Sequence, residues 1–413
     1  MTDANQAAAM LFNPFSPEFR ADPYPLYGKL RDAGAVIKTP LGTYMITRYD
    51  QVDRVLRSAA FRTPRGYRDA DDPAGPPRMD RSSELAVHRR HWLIFQSGDA
   101  HTRLRKLIMK VFTPRAVRAL TPRIEALVAE LLAPVLARGS LEVIADLAYP
   151  LPATVICELL GIPAADRDRN REWAAIVAQT IDPICTDAQL QQAVAAMHEW
   201  DPYIRNLLAE RRKNPGDALL DAMLAVEEDG TSLTEDEIAA NATFLFLAGH
   251  ETTTNLIGNG LYALLRHPDQ LAKLQAGHAD SALVENAVEE LLRFDSPIQF
   301  APRVPIEPVE VEGVTLPPEL PIMLALGCAN HDPRRYERPD DLDVTRKDPK
   351  PLSFGGGAHY CVGAALARVE AKHAFEQLFG KTQSLALVTD KPVWKPSLTL
   401  RALGELRVDV RAR

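Results

Sequence analysis

The sequence lacks the features that would place it at once in a special structural class. Its 413 residues include only 4 cysteines, at Cys157, Cys185, Cys328 and Cys361, too few and too scattered for a disulfide framework or a CxxC zinc site. No apolar run approaches the ~20 residues of a membrane span. With 48 basic and 55 acidic residues the formal net charge is −7, which gives no reason to expect nucleic acid as a partner.

A targeting signal is also missing from the N-terminal residues. Residues 1–12 carry no basic cluster, and their apolar stretch is too short for the core of a signal peptide. We therefore expect a protein without a membrane anchor that works in the cytoplasm, where thiols stay reduced.

The composition that remains is that of a globular protein, with 46% hydrophobic and 25% charged residues. Apolar residues recur at helical spacing from Ala116 to Val226. After Ile298 the sequence pattern changes to short predicted strands interrupted by prolines, such as Val309–Val314 and Ile322–Leu326. A last helix is predicted after Cys361. These patterns predict a mainly α protein with a minor β region, built as one domain over residues 1–413.

One helix is predicted to be much longer than the others. Thr234 and Glu237 form a capping-box pattern, and the helical spacing continues from Glu235 to Arg266. Such a helix would be about 48 Å long, and its mostly apolar faces predict a path through the core.

The segment from Arg62 to Arg90 is rich in Pro, Gly, Asp and Arg and has no helical periodicity. The sequence predicts a long surface loop there. Because long structureless loops are uncommon unless they bind or gate something, this one is a candidate lid over a binding site.

The segment Phe354–Gly363, FGGGAHYCVG, carries the most specific pattern. It delivers one cysteine to the start of a helix, where backbone N–H groups and the helix dipole favour a thiolate. Glycines let the backbone approach a flat ligand, the phenyl ring can shield the sulfur, and the histidine can donate to an anionic group at the ligand edge. The residues expected to contact the ligand are Phe354, Gly357, His359, Cys361 and Gly363.

An inert buried cysteine in a glycine turn is the alternative for this segment. At the chain's own residue frequencies, however, the six positions F-G-x-G-x-H-x-C-x-G would coincide by accident in fewer than roughly one case in a million. A functional cysteine is therefore favoured.

This loop resembles the cysteine-ligand loop of the cytochrome P-450 family, the haem-thiolate monooxygenases. The resemblance implies haem b as the cofactor, Cys361 as the axial ligand of its iron, and the family's fold, a helical prism with a minor β region. A thiolate ligand pushes electron density onto the iron and favours O–O cleavage over reversible O₂ carriage.

The second motif, Ala248–Thr253, lies within the long helix. Its small residues leave room for a planar cofactor beside Ala248, and Glu251 and Thr252 place an acid next to an alcohol, the groups needed to relay protons. The alternative is an ordinary core helix. The segment resembles the family's A-G-x-E-T pair, which implies catalytic roles for Glu251 and Thr252.

Glu290 and Arg293 are three residues apart on a predicted helix. This spacing by itself suggests an exposed ion pair that contributes little to stability. Between the other two motifs, the pair resembles the family's structural E-x-x-R motif. Arg346 is a candidate third partner, and whether it joins the pair is left open.

Further basic residues resemble the family's ligands for the haem propionates. His101 and Arg105 are four residues apart and share a helix face, although the preceding Gly98-Asp99-Ala100 departs from the usual proline-containing lead. Arg303 matches a further propionate-binding arginine, and His359 completes the set.

The run from Thr102 to Arg118 contains six basic residues and no acid. A solvated face is the ordinary explanation. In an acidic protein the run could instead attract an acidic electron donor, with Arg103, Lys106 and Lys110 in the docking surface. The resemblance implies a ferredoxin fed by an NAD(P)H-dependent reductase.

The implied reaction inserts one atom of O₂ into a lipophilic small molecule, by hydroxylation or epoxidation. Ordinary core packing is the alternative for each residue expected to line the substrate pocket. Those residues are Phe244, Leu247, Ala248, Ile298, Phe300 and Leu398.

Two other functions compete with the monooxygenase. A peroxygenase would use hydrogen peroxide directly, but it would not need the acid–alcohol pair. A non-enzymatic haem sensor or carrier would give Thr252 no role.

Overall fold

The computed structural model describes residues 12–14, 16–40, 42–65, 83–228, 230–389 and 391–413. The chain divides into two compact units. Unit 1 comprises Met1–Phe61, Thr121–Pro152 and Thr252–Arg413, and unit 2 comprises Arg62–Leu120 and Ala153–Glu251. The single domain over residues 1–413 stays a prediction.

Helices make up most of the described chain, as the sequence predicts. The α-helices are α1 Pro17–Ala21, α2 Tyr24–Ala33, α3 Tyr49–Arg57, α4 Glu84–His91, α5 Gly98–Val111, α6 Pro114–Arg138, α7 Pro150–Leu160, α8 Arg167–Ala178, α9 Asp187–Lys213, α10 Leu219–Ala225, α11 Glu235–Arg266, α12 Pro268–Ala276, α13 Ser281–Phe294, α14 Leu326–Ala329 and α15 Ala364–Lys381. Short 3-10 turns lie at Leu93–Phe95, Ala164–Asp166, Gln179–Ile181 and Gly357–His359, and a π-helical turn lies at Ile144–Ala148.

The strands are short. They are β1 Val36–Lys38, β2 Tyr44–Ile46, β3 Phe61–Arg62, β4 Ser140–Glu142, β5 Glu227–Glu228, β6 Thr231–Ser232, β7 Phe300–Pro305, β8 Val309–Val311, β9 Val314–Leu316, β10 Ile322–Ala325, β11 Thr382–Leu387, β12 Val393–Trp394, β13 Leu403–Glu405 and β14 Arg407–Ala412. Of the helices in the described part of the chain, none combines the length and apolar character that a membrane crossing needs.

The largest sheet belongs mainly to unit 1 and has the order β1-β2-β10-β7-β3. Strand β10 pairs parallel with β2 and antiparallel with β7. Its apolar residues pack with Val52, Val55 and Leu56 of α3 and with Leu352, which lies just before the cysteine loop. The core of unit 1 therefore extends to the base of that loop.

The long helix α11 has the predicted bounds, and the capping box at its start is formed. The Thr234 N–H donates to the Glu237 carboxylate at 2.9 Å, and the Glu237 N–H donates to Thr234 Oγ1 at 3.2 Å. Within unit 2, Asn241 accepts from the Leu93 N–H at 3.0 Å and donates to the His91 carbonyl at 2.8 Å. This polar residue of a buried helix thus fixes the segment that follows α4.

The prediction of one structureless loop from Arg62 to Arg90 is wrong at its C-terminal end. Residues Glu84–His91 form α4, which begins where the Ser83 hydroxyl caps the Ala86 N–H at 3.4 Å. Leu85 and Ala86 are buried, so tertiary packing stabilises a helix that the polar composition conceals. Residues 66–82 of this candidate lid lie outside the described residues.

Two smaller predictions also need correction. The strand predicted over Val309–Val314 is a hairpin of β8 and β9, because Glu312 and Gly313 both adopt positive φ, at 49° and 74°, and turn the chain. Cys185 falls within the stretch Ala116–Val226 that the apolar spacing predicts as mainly helical, but it lies in the turn before α9, where it is partly exposed.

Candidate active site

The cysteine loop forms a closed turn at the start of α15. Cys361 lies three residues before Ala364, the first residue of that helix, and Cys361 is exposed. Its backbone N–H donates to the Phe354 carbonyl at 3.0 Å, and the Tyr360 N–H donates to the Gly357 carbonyl at 3.1 Å. The backbone thus presents one accessible thiol at a helix N-terminus, an environment that favours the thiolate.

Gly357 is required by a close approach of the loop to α3. A Cβ atom at this position would lie 2.6 Å from the Leu56 carbonyl oxygen and 2.9 Å from Arg57 Cα, and its φ is +63°. Any residue with a side chain at this position would push the loop away from α3. The glycine predicted from the motif therefore has a steric role that the structure makes explicit.

The residues before the loop are anchored by buried hydroxyls and an amide. Ser353 Oγ donates to the Leu292 carbonyl at 2.6 Å and accepts from Ser296 Oγ at 2.7 Å. The Leu352 N–H donates to Asn330 Oδ1 at 2.8 Å. These bonds fix the start of the loop against the end of α13.

The Glu290–Arg293 pair is completely buried, which the spacing alone did not predict. Arg293 donates two hydrogen bonds to the Glu290 carboxylate, from Nε at 2.7 Å and from Nη2 at 2.9 Å, and both side chains are 0% exposed. Arg346 Nε reaches the same carboxylate at 3.1 and 3.0 Å. The third partner that the sequence left open is therefore Arg346.

This triad clamps a long irregular segment in front of the cysteine loop. Arg293 donates to the carbonyls of Asn330, Pro339 and Asp341, and Arg346 donates to those of Glu337, Arg338 and Asp341. Both guanidinium groups thus satisfy backbone acceptors that no strand or helix satisfies.

Arg303 carries a buried cation within unit 1. It lies on β7, paired in register with Ile322, and is 7% exposed. The one hydrogen bond of its side chain to a described residue runs from Nη1 to the Pro302 carbonyl at 2.8 Å, and no described carboxylate pairs with it. Burial lowers the pKa of Arg303 to about 10, so it is still charged at neutral pH. This buried charge can therefore pair with an anionic group of a bound ligand.

The other residues predicted around the cysteine lie in the same unit. His359 ends the short 3-10 turn Gly357–His359. The Phe354 ring lies 4.5 Å from the guanidinium of Arg368, and a Cβ at Gly363 would lie 3.9 Å from the Cys361 sulfur.

His101 and Arg105 lie on α5 in unit 2, one turn apart as predicted. The His101 side chain is buried, and burial together with the charge of Arg105 lowers its pKa. At pH 7 the imidazole is therefore neutral and has one N–H to donate. A neutral donor beside a cation suits a carboxylate ligand.

The motif of α11 has the packing that its small residues imply. A Cβ at Gly249 would lie 3.2 Å from Ile156 Cδ1, so the glycine allows α7 and α11 to approach closely within unit 2. Ala248, Glu251 and Thr252 are partly exposed.

The predicted pocket residues differ in burial. Leu247 and Leu398 are buried, whereas Phe244 and Ile298 are partly exposed. Phe300 is 3% exposed, and its ring contacts those of Phe12 and Tyr27 edge-on, at centroid distances of 6.1 and 6.0 Å. Phe300 thus has a packing role, and a pocket-lining role for these residues stays a prediction.

The donor set fits a haem better than a bare metal ion. No group of three or more His, Cys, Asp or Glu side chains in the described ranges could hold a metal ion. The exposed Cys361 thiol in its glycine loop suits the iron of a haem, and Arg303, which has no carboxylate partner among the described residues, suits a propionate.

Comparison with known proteins gives a consistent family. A family model for cytochrome P450 matches residues 66–383. The chain is 38% identical over 401 residues to the cytochrome P450 monooxygenase PikC of Streptomyces venezuelae, covering 95% of this chain and 92% of the relative. It is 39% identical over 412 residues to the vitamin D(3) 25-hydroxylase of Pseudonocardia autotrophica, covering 97% and 96%.

Solved structures resemble the chain over nearly its full length. P450BioI, in complex with hexadec-9Z-enoic acid ligated acyl carrier protein, has a TM-score of 0.88 and 34% identity, and the match covers 95% of this chain and 100% of that one. CYP109E1 of Bacillus megaterium, in complex with corticosterone, has a TM-score of 0.81 and 29% identity, with 95% and 99% covered. The mainly helical fold with its small β region is therefore the fold of this family.

Proposed function

The chain belongs to the cytochrome P450 family, whose members are haem b monooxygenases, and we propose that its own Cys361 binds the haem iron through sulfur. The observation that carries this proposal is the exposed thiol of Cys361 just before α15. It lies in a loop that can pack against α3 only because residue 357 is a glycine. The glycine-rich turn leaves the sulfur accessible to a flat ligand, and the other three cysteines lack this setting.

Four basic residues would hold the haem by its propionates. Arg303 offers a buried guanidinium without a described carboxylate, and His359 lies two residues before the cysteine. In unit 2, His101 is neutral at pH 7 and donates one N–H, while Arg105 supplies charge. Hydrogen bonds from charged donors to carboxylates are the strong ones, so these arginines would fix the orientation of the cofactor.

When bound, haem b supplies the redox chemistry that activates O₂. Glu251 and Thr252 are proposed to manage protons, because a carboxylate can accept a proton from bulk water and an adjacent hydroxyl can pass one on at its Oγ1. Phe354 is proposed to shield the Cys361 sulfur from water, which keeps the local dielectric low.

The substrate is proposed to be a lipophilic small molecule that is hydroxylated or epoxidised. Named relatives include a vitamin D(3) hydroxylase and a 6-deoxyerythronolide B hydroxylase, and both names denote hydroxylation of small molecules. The electrons are proposed to come from a ferredoxin and an NAD(P)H-dependent reductase in the cytoplasm. The basic residues of α5 and the start of α6 are the proposed docking surface.

A spectrum of the carbon monoxide complex tests the ligand assignment. The reduced protein with carbon monoxide should show the red-shifted Soret band of thiolate ligation. Cys361→Ser should abolish that band, whereas Cys185→Ser, which alters another accessible thiol, should keep it. A histidine-type carbonyl spectrum in the unmutated protein would refute the proposal.

A further inference from the structure

Arg89 is a second buried arginine, and it lies in unit 2 within α4. It is 3% exposed, and its Nη1 donates to the Thr180 carbonyl at 3.1 Å and to Thr180 Oγ1 at 3.2 Å. Its guanidinium carbon lies 4.9 Å from the ring centroid of Phe95 and 5.8 Å from that of Trp92. The cation is thus held between a backbone carbonyl and two aromatic rings.

The charge of Arg89 is not neutralised within the described residues. No described carboxylate pairs with it, and the one titratable side chain there that affects it is the thiol of Cys185. Burial raises the pKa of that thiol, so it is uncharged at pH 7. Burial also lowers the pKa of Arg89 to about 10, which still leaves the guanidinium charged at neutral pH.

Two buried N–H groups, one on Arg89 itself and one on Trp92, have no acceptor among the described residues. Arg89 Nε has no hydrogen-bond partner among the described residues, and neither has the indole Nε1 of Trp92, which is 0% exposed. A buried donor without an acceptor and a buried charge without a counter-charge are both costly. An apolar side chain would pack here at lower cost, so a bound acceptor is the simplest explanation of the arrangement.

We propose that Arg89, with Trp92, binds the carboxylate of a lipophilic acid substrate. The free Nε lies on the guanidinium edge that it shares with Nη2, and this edge matches the two oxygens of a carboxylate in a bidentate pair. Thr180 occupies Nη1 and leaves that edge available. A single planar donor edge suits a carboxylate better than a phosphate, which usually needs several cationic donors.

Aromatic side chains make the surroundings of the cation apolar, which suits the lipophilic part of such a substrate. The Trp92 ring is stacked with that of Phe95 at 5.8 Å and lies 5.4 Å from that of Phe244, a predicted pocket residue on α11. The acid would therefore be a long-chain or otherwise lipophilic carboxylic acid. Arg89 acts as a specificity residue, and the inference rests on the proposed monooxygenase function.

Binding of a matched acid and ester to the haem-loaded enzyme tests the inference. Isothermal titration calorimetry would compare tetradecanoic acid with its methyl ester, which has the same chain and no charge. We expect the wild type to bind the acid about 10- to 100-fold more tightly, the range for a hydrogen-bonded charge. Arg89→Met should abolish this preference, and Arg89→Lys should keep only part of it because a lysine cannot form the bidentate pair.

Arg90→Met is the matched control, since it removes one positive charge from the neighbouring position of α4 and should keep the preference. Retained ester affinity in Arg89→Met shows that the variant is folded. Equal affinity of the wild type for acid and ester, or an undiminished preference in Arg89→Met, would overturn the inference.

The carbon monoxide spectrum separates this outcome from failure of the proposed function. A thiolate spectrum without acid preference overturns the Arg89 inference alone. Acid preference with a histidine-type spectrum supports the carboxylate site and overturns the assignment of Cys361.

Discussion

The four cysteines of this protein differ in thiol pKa and in exposure because their surroundings differ. Burial raises the pKa of Cys157 to about 11 and that of Cys328 to about 12, so neither supplies a thiolate at neutral pH. Burial also raises the pKa of Cys185, which lies in the turn before α9. Cys361 alone combines exposure with a glycine loop at a helix start. Chemistry in this chain is therefore selected by environment and not by residue identity.

Glu370 on α15 is a buried acid that should destabilise the fold at neutral pH. Burial raises the pKa of its carboxyl well above the usual range, and its Oε2 has no partner among the described residues. The unfolded chain loses this proton as the pH rises above ~4.3, whereas the folded chain retains it, so stability falls over that interval. Glu370→Gln should raise the free energy of unfolding by about 1–3 kcal/mol at pH 7.5.

The measurement is urea unfolding of the haem-loaded protein at several pH values. The gain from Glu370→Gln should shrink toward zero as the pH falls below ~4.3, because the wild-type carboxyl is then protonated in both states. Glu130→Gln, on an exposed glutamate of α6, should show neither the gain nor the pH dependence. A pH-independent difference between Glu370→Gln and the wild type would contradict the argument.

Thr252 should affect the coupling of electrons to product more than substrate binding. If its hydroxyl passes a proton during oxygen activation, Thr252→Ala should lower product formation on the order of 10- to 100-fold while NAD(P)H consumption continues and hydrogen peroxide accumulates. Thr252→Ser retains the hydroxyl and should restore most of the product yield. Parallel loss of product and NAD(P)H consumption in Thr252→Ala would instead indicate a structural role.

At the scale of secondary-structure elements, the clamp around Glu290 connects α13 to the irregular chain before the cysteine loop. Removing one arginine leaves a fully buried carboxylate with fewer donors and frees backbone carbonyls. Arg346→Met should therefore lower the free energy of unfolding by about 2–4 kcal/mol and weaken haem retention, because the segment leading to Cys361 loses its anchor.

Thermal unfolding and haem-transfer rates measure both effects of Arg346→Met. The control is Arg123→Met, which breaks the exposed Arg123–Glu130 pair of α6 and should cost less than about 1 kcal/mol. Equal shifts in the two variants would show that the buried clamp contributes no more than a surface pair.

The elements that the sequence predicted well are those with a strong local signal. The long helix α11 has a capping box and sustained apolar spacing, and the cysteine loop has a dense motif. The hairpin at Glu312 was missed because only the backbone reveals its positive φ, and α4 was missed because packing stabilises it. No spacing rule reports burial, so the full burial of Glu290 and the acceptor-poor surroundings of Arg89 emerged only from the structure.

At the scale of the whole molecule, a chain of net charge −7 retains a run of basic residues in unit 2. Arg103 was predicted to belong to a docking surface, but it pairs with Glu237 and donates to the Ser232 carbonyl at 3.3 Å. Its charge is therefore largely neutralised. Lys106, Arg115 and Arg118 are exposed on α5 and at the start of α6, and their position at the surface suits them to steer an acidic ferredoxin.

Neutralising these three side chains together should slow electron delivery without altering the active site. At low ionic strength we expect the second-order rate of reduction by ferredoxin to fall about tenfold in a variant with Gln at Lys106, Arg115 and Arg118, because long-range attraction raises the encounter rate. Added salt should remove most of the difference by screening. Stopped-flow reduction over a salt series measures both effects. The control variant carries Gln at three exposed basic residues of α8 and α9, Arg169, Arg212 and Lys213. It has the same net charge as the test variant. An equal loss of rate in the control would therefore assign the effect to total charge and not to this surface.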